Sequence, residues 1–278
     1  VTLIAVKVLL APGFVVLASL AGRRFGIRVG GMLGGLPVVA APILLVYALQ
    51  HGDRFAANAS AATVLGLISL MGFLLTYAWL AGRGPWWLSL PAGWAVFALF
   101  TFLFSLVKVS AVLALLVVGL ALLAMPALLP RAAAAERQAP SSPPPSWDLP
   151  LRAAAALALV LALTAAAGWL GPQVSGLLAP FPVIASVLAV FTHSQRGHLE
   201  VLRLLRGLLL GYAAYALFCF ALALTLRPLG TAEAFVLAIG VALLCQAAVL
   251  WRQRALAAQA AAAALLSRAS RSAAEDLT

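Results

Sequence analysis

The chain has 278 residues, of which 65% are hydrophobic and only 9% charged, with a mean hydropathy of +1.10. Soluble domains carry about a quarter charged residues, so this composition excludes a water-soluble enzyme: its exterior must meet lipid. The formal net charge of +11 does not point to nucleic acid, because the basic residues fall in the short gaps between apolar runs, where membrane topology signals lie.

Apolar runs of about 20 residues, enough to cross a hydrocarbon core roughly 30 Å thick, recur from Val1 to Trp251. They predict an all-α integral membrane protein with about nine spans. The short alternating segments of a barrel are not the pattern. Span one covers about 2–21. It lacks a basic n-region and a small-residue cleavage site, so it reads as a membrane helix rather than a leader. Lys7 lies about two turns inside it and is expected to snorkel outward. Span two, 29–50, carries Gly34-Gly35-Leu36-Pro37 and then Pro42, and ends near His51. Span three, 57–81, holds the polar residues Asn58, Ser60, Thr63, Ser69, Thr76 and Tyr77. Spans four and five, 86–106 and 109–129, are separated only by a short turn at Lys108.

Residues 131–150, RAAAAERQAPSSPPPSWDLP, differ in kind. Proline cannot hold a helix interior, so this stretch predicts a flexible cytoplasmic linker. Span six follows at 151–170. Span seven, 174–194, carries Gly176, Pro180, Pro182 and Ser186, with Gln173 and Ser175 at its outer end and His193 near its cytoplasmic end. Span eight, 205–226, contains Tyr212 and Tyr215. Span nine, 231–251, opens at Glu233, where an ion pair with Arg227 is expected, and contains Gln246. The tail, 252–278, is Ala-rich and predicts a helix at least to Ser267.

Fourteen of the eighteen basic residues fall in alternate gaps and the tail; Lys7, Arg54, Lys108 and Arg227 form the other set. The positive-inside bias then places the N-terminus outside and the C-terminus in the cytoplasm of an inner (plasma) membrane. This orientation requires an odd number of spans, and nine is odd.

Sliding the sequence on itself by 145 residues without a gap pairs Gly31 with Gly176, Pro37 with Pro182, Ala40 with Ala185, Gln50 with Gln195 and Gly52 with Gly197. The register continues through Gly66 with Gly211 and Phe73 with Phe218, and sets Lys7 beside Arg152. The plan is one repeat over 1–106, a connecting span over 107–130, the linker over 131–150, a second repeat over 151–251 and a tail over 252–278. Five spans separate the starts of the two repeats, so the second enters the membrane from the opposite face and the repeat is inverted. The architecture resembles inverted-repeat secondary transporters in general, at the level of topology alone, so no residue roles carry over. Such folds bind solute near the midplane beside interrupted helices.

The matched Gly/Pro interruptions therefore mark the candidate site: Gly34, Gly35, Pro37 and Pro42 in span two, and Pro180, Pro182 and Ser186 in span seven. Asn58 and Gln246 join them, because an amide is costly in lipid. No acidic residue lies mid-span. No HExxH, GxSxG, P-loop or paired-carboxylate motif is present, which argues against catalysis. Cys219 and Cys245 lie in apolar helices and read as small buried hydrophobes. No metal or other cofactor is implied. Trp79, Trp86, Trp87 and Trp251 fall where an aromatic belt would.

The expected function is alternating-access transport or export of a small solute, with or without a coupling ion. A homodimer is compatible with it. The alternative is a non-catalytic membrane subunit of a larger transport or envelope-synthesis complex. A membrane-embedded enzyme acting on lipid ranks third.

Overall fold

The computed structural model describes residues 2–107, 109–130, 145–167 and 177–275. Among them there is no strand. The helices are α1 (Thr2–Phe25), α2 (Ile27–Gly34), α3 (Ala40–His51), α4 (Asp53–Ala81), α5 (Trp86–Ser105), α6 (Ala111–Leu128), α7 (Asp148–Ala167), α8 (Val183–Leu229) and α9 (Thr231–Glu275). Residues 131–144 of the expected linker, Lys108, Gln173, Ser175 and Gly176 lie outside the described residues, as does the side chain of Lys7.

Among the described residues, five helices are long and apolar enough to cross a membrane: α4, α5, α6, α8 and, within α9, Thr231–Leu256. The chain is thus compatible with a multi-pass helical membrane protein. α4 and α8 form the centre. They bury Phe73, Tyr77, Tyr212 and Phe218 almost completely, and they pack on each other and on most other elements. α5, α6 and α9 lie outside them and expose large apolar side chains such as Phe102, Leu120, Leu123, Val236 and Leu244. That is the arrangement lipid contact demands, since every backbone polar group is closed within a helix while the side chains stay apolar.

Several boundaries differ from the sequence reading. The span expected over 29–50 is divided into α2 and α3 at the Gly34–Pro37 run, leaving helices of 8 and 12 residues. The spans expected over 174–194 and 205–226 run together in α8, which bends at Gly197. α9 continues without interruption far beyond residue 251. α7 begins at Asp148, so the last three residues of the stretch read as linker are helical. Asp148 supplies an acidic first turn there, which suits a helix N-terminus.

Gly52 and Gly197, one at the α3–α4 junction and the other at the α8 bend, share one conformation. Their φ/ψ values are 84°/166° and 79°/−178°. Only glycine enters that region readily, so both bends rest on the missing side chain. The two residues are 145 positions apart.

Contacts sort the charges to the two ends of the bundle. At one end Arg23 meets Asp148, Arg206 donates to the Pro130 carbonyl, and Trp79 donates to the Leu128 carbonyl. At the other, Thr231 donates to Asp53 and Arg227 to Asn58. The ion pair expected between Arg227 and Glu233 is not among those of the described residues; the guanidinium reaches across to Asn58 on α4 instead.

Candidate functional site

The site begins with two prolines. After Gly34 the chain leaves the helix on its way to Pro37, whose ring lacks an N–H. It makes three short turns: Leu36 N–H donates to Leu33 O at 3.0 Å, Val38 N–H to Leu36 O at 2.8 Å, and Ala41 N–H to Pro37 O at 2.8 Å. The second break repeats them: Phe181 N–H to Leu178 O at 2.9 Å, Val183 N–H to Phe181 O at 2.7 Å, and Ser186 N–H to Pro182 O at 2.7 Å. Every atom in the second set is 145 residues beyond its counterpart in the first. The bond from Val183 back to Phe181 closes a three-residue turn around Pro182, whose φ of −74° and ψ of 50° approximate an inverse γ-turn. Proline's ring fixes φ near that value, which is why this residue suits the position. Pro42 falls in the first turn of α3, where its missing donor would have had no intrahelical acceptor.

Each break packs against the long helix of the other half of the chain. Gly31 and Gly35 cross Gly207 and Gly211 of α8, each pair four residues apart, so the backbones touch. A Cβ at Gly211 would lie 2.5 Å from the Met32 carbonyl oxygen and 2.7 Å from Gly35 Cα. On the opposite side, a Cβ at Gly66 of α4 would lie 2.8 Å from the Leu177 carbonyl oxygen and 2.9 Å from Pro180 Cγ. Met32 with Gly211 and Leu177 with Gly66 are one contact made twice with the halves exchanged, since Leu177 follows Met32, and Gly211 follows Gly66, by 145 residues.

Between the breaks lies a small, partly open space of about 30 Å³. Gly34, Gly35, Leu36, Pro180 and Pro182 line it, with Val183, Ile184 and Ala185 from the start of α8 and Tyr212 and Tyr215 from its long arm. Tyr212 is 2% exposed and its hydroxyl has no hydrogen-bond partner among the described residues. Ser186 sits one residue further into α8, where it accepts a 2.9 Å hydrogen bond from Trp94 Nε1 of α5. Trp94 and Phe97 also hold the Phe181 ring, at centroid separations of 5.7 and 5.4 Å. These two aromatic residues were not singled out from the sequence.

The other candidates lie elsewhere. Pro37 is buried and Pro42 partly buried, and neither lines the space. Asn58 is held at the bundle end by Arg227. Gln246 on α9 is 6% exposed, and neither its amide nitrogen nor its oxygen has a partner. Thr101, 145 residues before it, is likewise buried without one.

A second polar group, missed in the sequence, closes one end of the bundle. Asp148 is fully buried. It accepts from Arg23 at 2.6 Å, from Arg152 Nε at 2.9 Å and from Gln195 at 2.6 Å, so one carboxylate ties α1, α7 and α8 together. Burial alone would push its pKa up. The hydrogen bonds from Gln195, Arg152 and Arg23, with the Arg152 charge, outweigh burial and hold it below the ordinary carboxylate value. Ser19, Thr192 and Arg196 line the partly open space beside it. Proximity of an acid to Arg152 was the only sequence signal, a carboxylate four residues before a guanidinium on one helix.

Compared with family models, with curated proteins and with solved structures, the chain matches none.

Proposed function

We propose that this chain is a secondary transporter of a small solute, built from two inverted four-helix repeats joined by α6. The solute path runs between the two crossed breaks. The observation that carries this reading is the exchanged contact, Met32 on Gly211 and Leu177 on Gly66. A contact made twice with the halves swapped is the signature of a pseudo-two-fold axis. The last turn of α1 lies against the first turn of α7 through Arg23 and Asp148, so these two helices, which begin the two repeats, run antiparallel. That supports an axis in the membrane plane.

The remaining features fit the same scheme. Breaks buried in protein rather than lipid are where non-helical backbone is tolerated at membrane depth. The Asp148 network would close one mouth of the path; in the sequence, the positions 145 residues from Asp148 and Arg23 are Leu3 and Gly168, which cannot form the same ion pair. With the basic end placed in the cytoplasm, the N-terminus lies outside and this state is sealed inward.

The test is thiol accessibility. In a Cys219→Ala/Cys245→Ala background, single cysteines replace Val39 or Ala185 at the lining. Alternating access expects each to react with a membrane-impermeant methanethiosulfonate in both right-side-out and inverted vesicles. Reaction from one face only, or from neither, refutes the scheme.

A further inference from the structure

The hydrogen-bond pattern at the breaks points to the chemistry of the solute. Part of the backbone at the breaks is engaged: the carbonyls of Leu33, Leu36 and Pro37 in the first, and of Leu178, Phe181 and Pro182 in the second, each accept a bond from the turn that follows. Two donors at the start of α8 are not engaged. Val183 N–H opens the helix by donating to Phe181 O, and the next amide to bond back is that of Ser186, to Pro182. Ile184 and Ala185 precede it in the opening turn, where an α-helix leaves N–H groups without intrahelical acceptors. No side chain caps this helix, nor α3 in the matching position. Inside a bundle surrounded by lipid, water does not stand ready to satisfy such groups.

A helix start alone would say little. The Tyr212 hydroxyl is the independent observation: it is buried, unpartnered and set in the wall of the same space as Ile184 and Ala185. A phenol can donate to an anion. Among the described residues no carboxylate, histidine or cationic side chain lines the space, so none of them offers a cation a counter-charge. A helix N-terminus favours negative charge. Tyr212 is also a property of one half only, because the position 145 residues earlier is Leu67. The two-fold pattern therefore yields one such site per chain.

We infer that the space between the breaks binds the oxyanion group of a small solute, a carboxylate or phosphate, through the opening amides of α8 and the Tyr212 hydroxyl. This rests on the transport reading for its role but not for its geometry.

The test uses the full chain, purified in phospholipid-free dodecyl maltoside, and follows thermal unfolding during titration. The probes are acetate, lactate, succinate and inorganic phosphate at constant ionic strength, with lactamide as the neutral counterpart of lactate and choline as a cation. The expected result is a saturable rise in Tm with at least one anion and none with lactamide or choline. In Tyr212→Phe the anion's Kd should weaken roughly tenfold or more, the usual weight of a hydrogen bond to a charged group. The ligand-free Tm should hold or rise, because the deleted hydroxyl has no partner to lose. Absence of a saturable anion effect, an equal effect of lactamide, or an unchanged Kd in Tyr212→Phe overturns the inference. Flux of the bound anion into proteoliposomes is measured separately. Binding without flux refutes transport and leaves the anion site standing, whereas flux of a neutral or cationic solute without anion binding does the reverse.

Discussion

Arg23 and Asp148 stand 125 positions apart in the chain and meet at 2.6 Å, with the carboxylate fully buried and the guanidinium 29% exposed. Asp148→Asn should leave Arg152, 7% exposed, beside a neutral partner. Losing one member of a buried pair costs about 3–5 kcal/mol; the exposure of Arg23 lowers the expectation here to about 1–3 kcal/mol. The pH dependence follows from the lowered pKa of Asp148. A carboxylate depressed in the folded state contributes its full stability above the unfolded value, about 3.9, and loses it as pH falls through the folded value. Wild type should therefore exceed Asp148→Asn in Tm by a constant margin from pH 7 to 5, and the margin should close only below about pH 4. Thermal unfolding at stepped pH checks this, and a margin already closing at pH 6 would count against it.

The glycine crossing gives a sharper contrast. Gly211→Ala places a methyl 2.5 Å from the Met32 carbonyl oxygen, a backbone atom that cannot swing aside, so the helices must part at a cost of about 1–3 kcal/mol. Gly66→Ala should fail in the same way against Leu177. Gly240→Ala is the control: nothing lies within 4 Å of its added methyl. There the better helix propensity of alanine should leave Tm unchanged or raise stability by up to about 1 kcal/mol.

Gly52→Ala isolates conformation from packing, since an added Cβ at Gly52 also meets nothing within 4 Å. Its φ of 84° with ψ of 166° should still cost about 1–3 kcal/mol. Gly197→Ala should behave alike. A Tm for Gly52→Ala equal to wild type would show that the junction relaxes without needing glycine.

Gln246→Leu should act in the opposite direction. Both amide atoms are buried and unpartnered, and replacing an unsatisfied polar group with an apolar one of similar size should stabilise by about 1–3 kcal/mol. A fall in Tm would reveal a partner the amide needs.

How much of this was legible in the sequence depends on distance along the chain. The breaks were legible because Gly34-Gly35 with Pro37, and Pro180 with Pro182, concentrate helix-breaking residues in one stretch; a lone proline is not enough, since Pro12 and Pro91 sit inside α1 and α5. The matching of Gly52 with Gly197 was visible as an identity at one offset, and both residues hold the same rare backbone conformation. The crossing of Gly31 and Gly35 with Gly207 and Gly211 had a signal, two glycines four apart in each segment, but spacing does not say which pair meets which. Asp148 was misread because its neighbours Pro145 and Pro150 look like linker, while two of its three partners lie 47 and 125 residues away. Trp94 sat among many aromatic residues, and only the fold brings it to Ser186. Asn58 and Gln246 looked alike as amides in apolar helices; their surroundings, Arg227 for one and no partner for the other, are tertiary.

The exchanged contacts bear on what a fragment of this protein could do. Residues 27–34 find their backbone partner in the second half of the chain, and residues 177–180 find theirs in the first. A chain cut between 131 and 144 would thus yield two pieces, each with an open seam shaped for the other, and co-expression should restore what neither piece achieves alone. A gene encoding one half by itself would face a harder demand. In the inverted arrangement proposed above, its product could close the seam only on a second copy lying upside down, and would have to insert into the membrane in both directions.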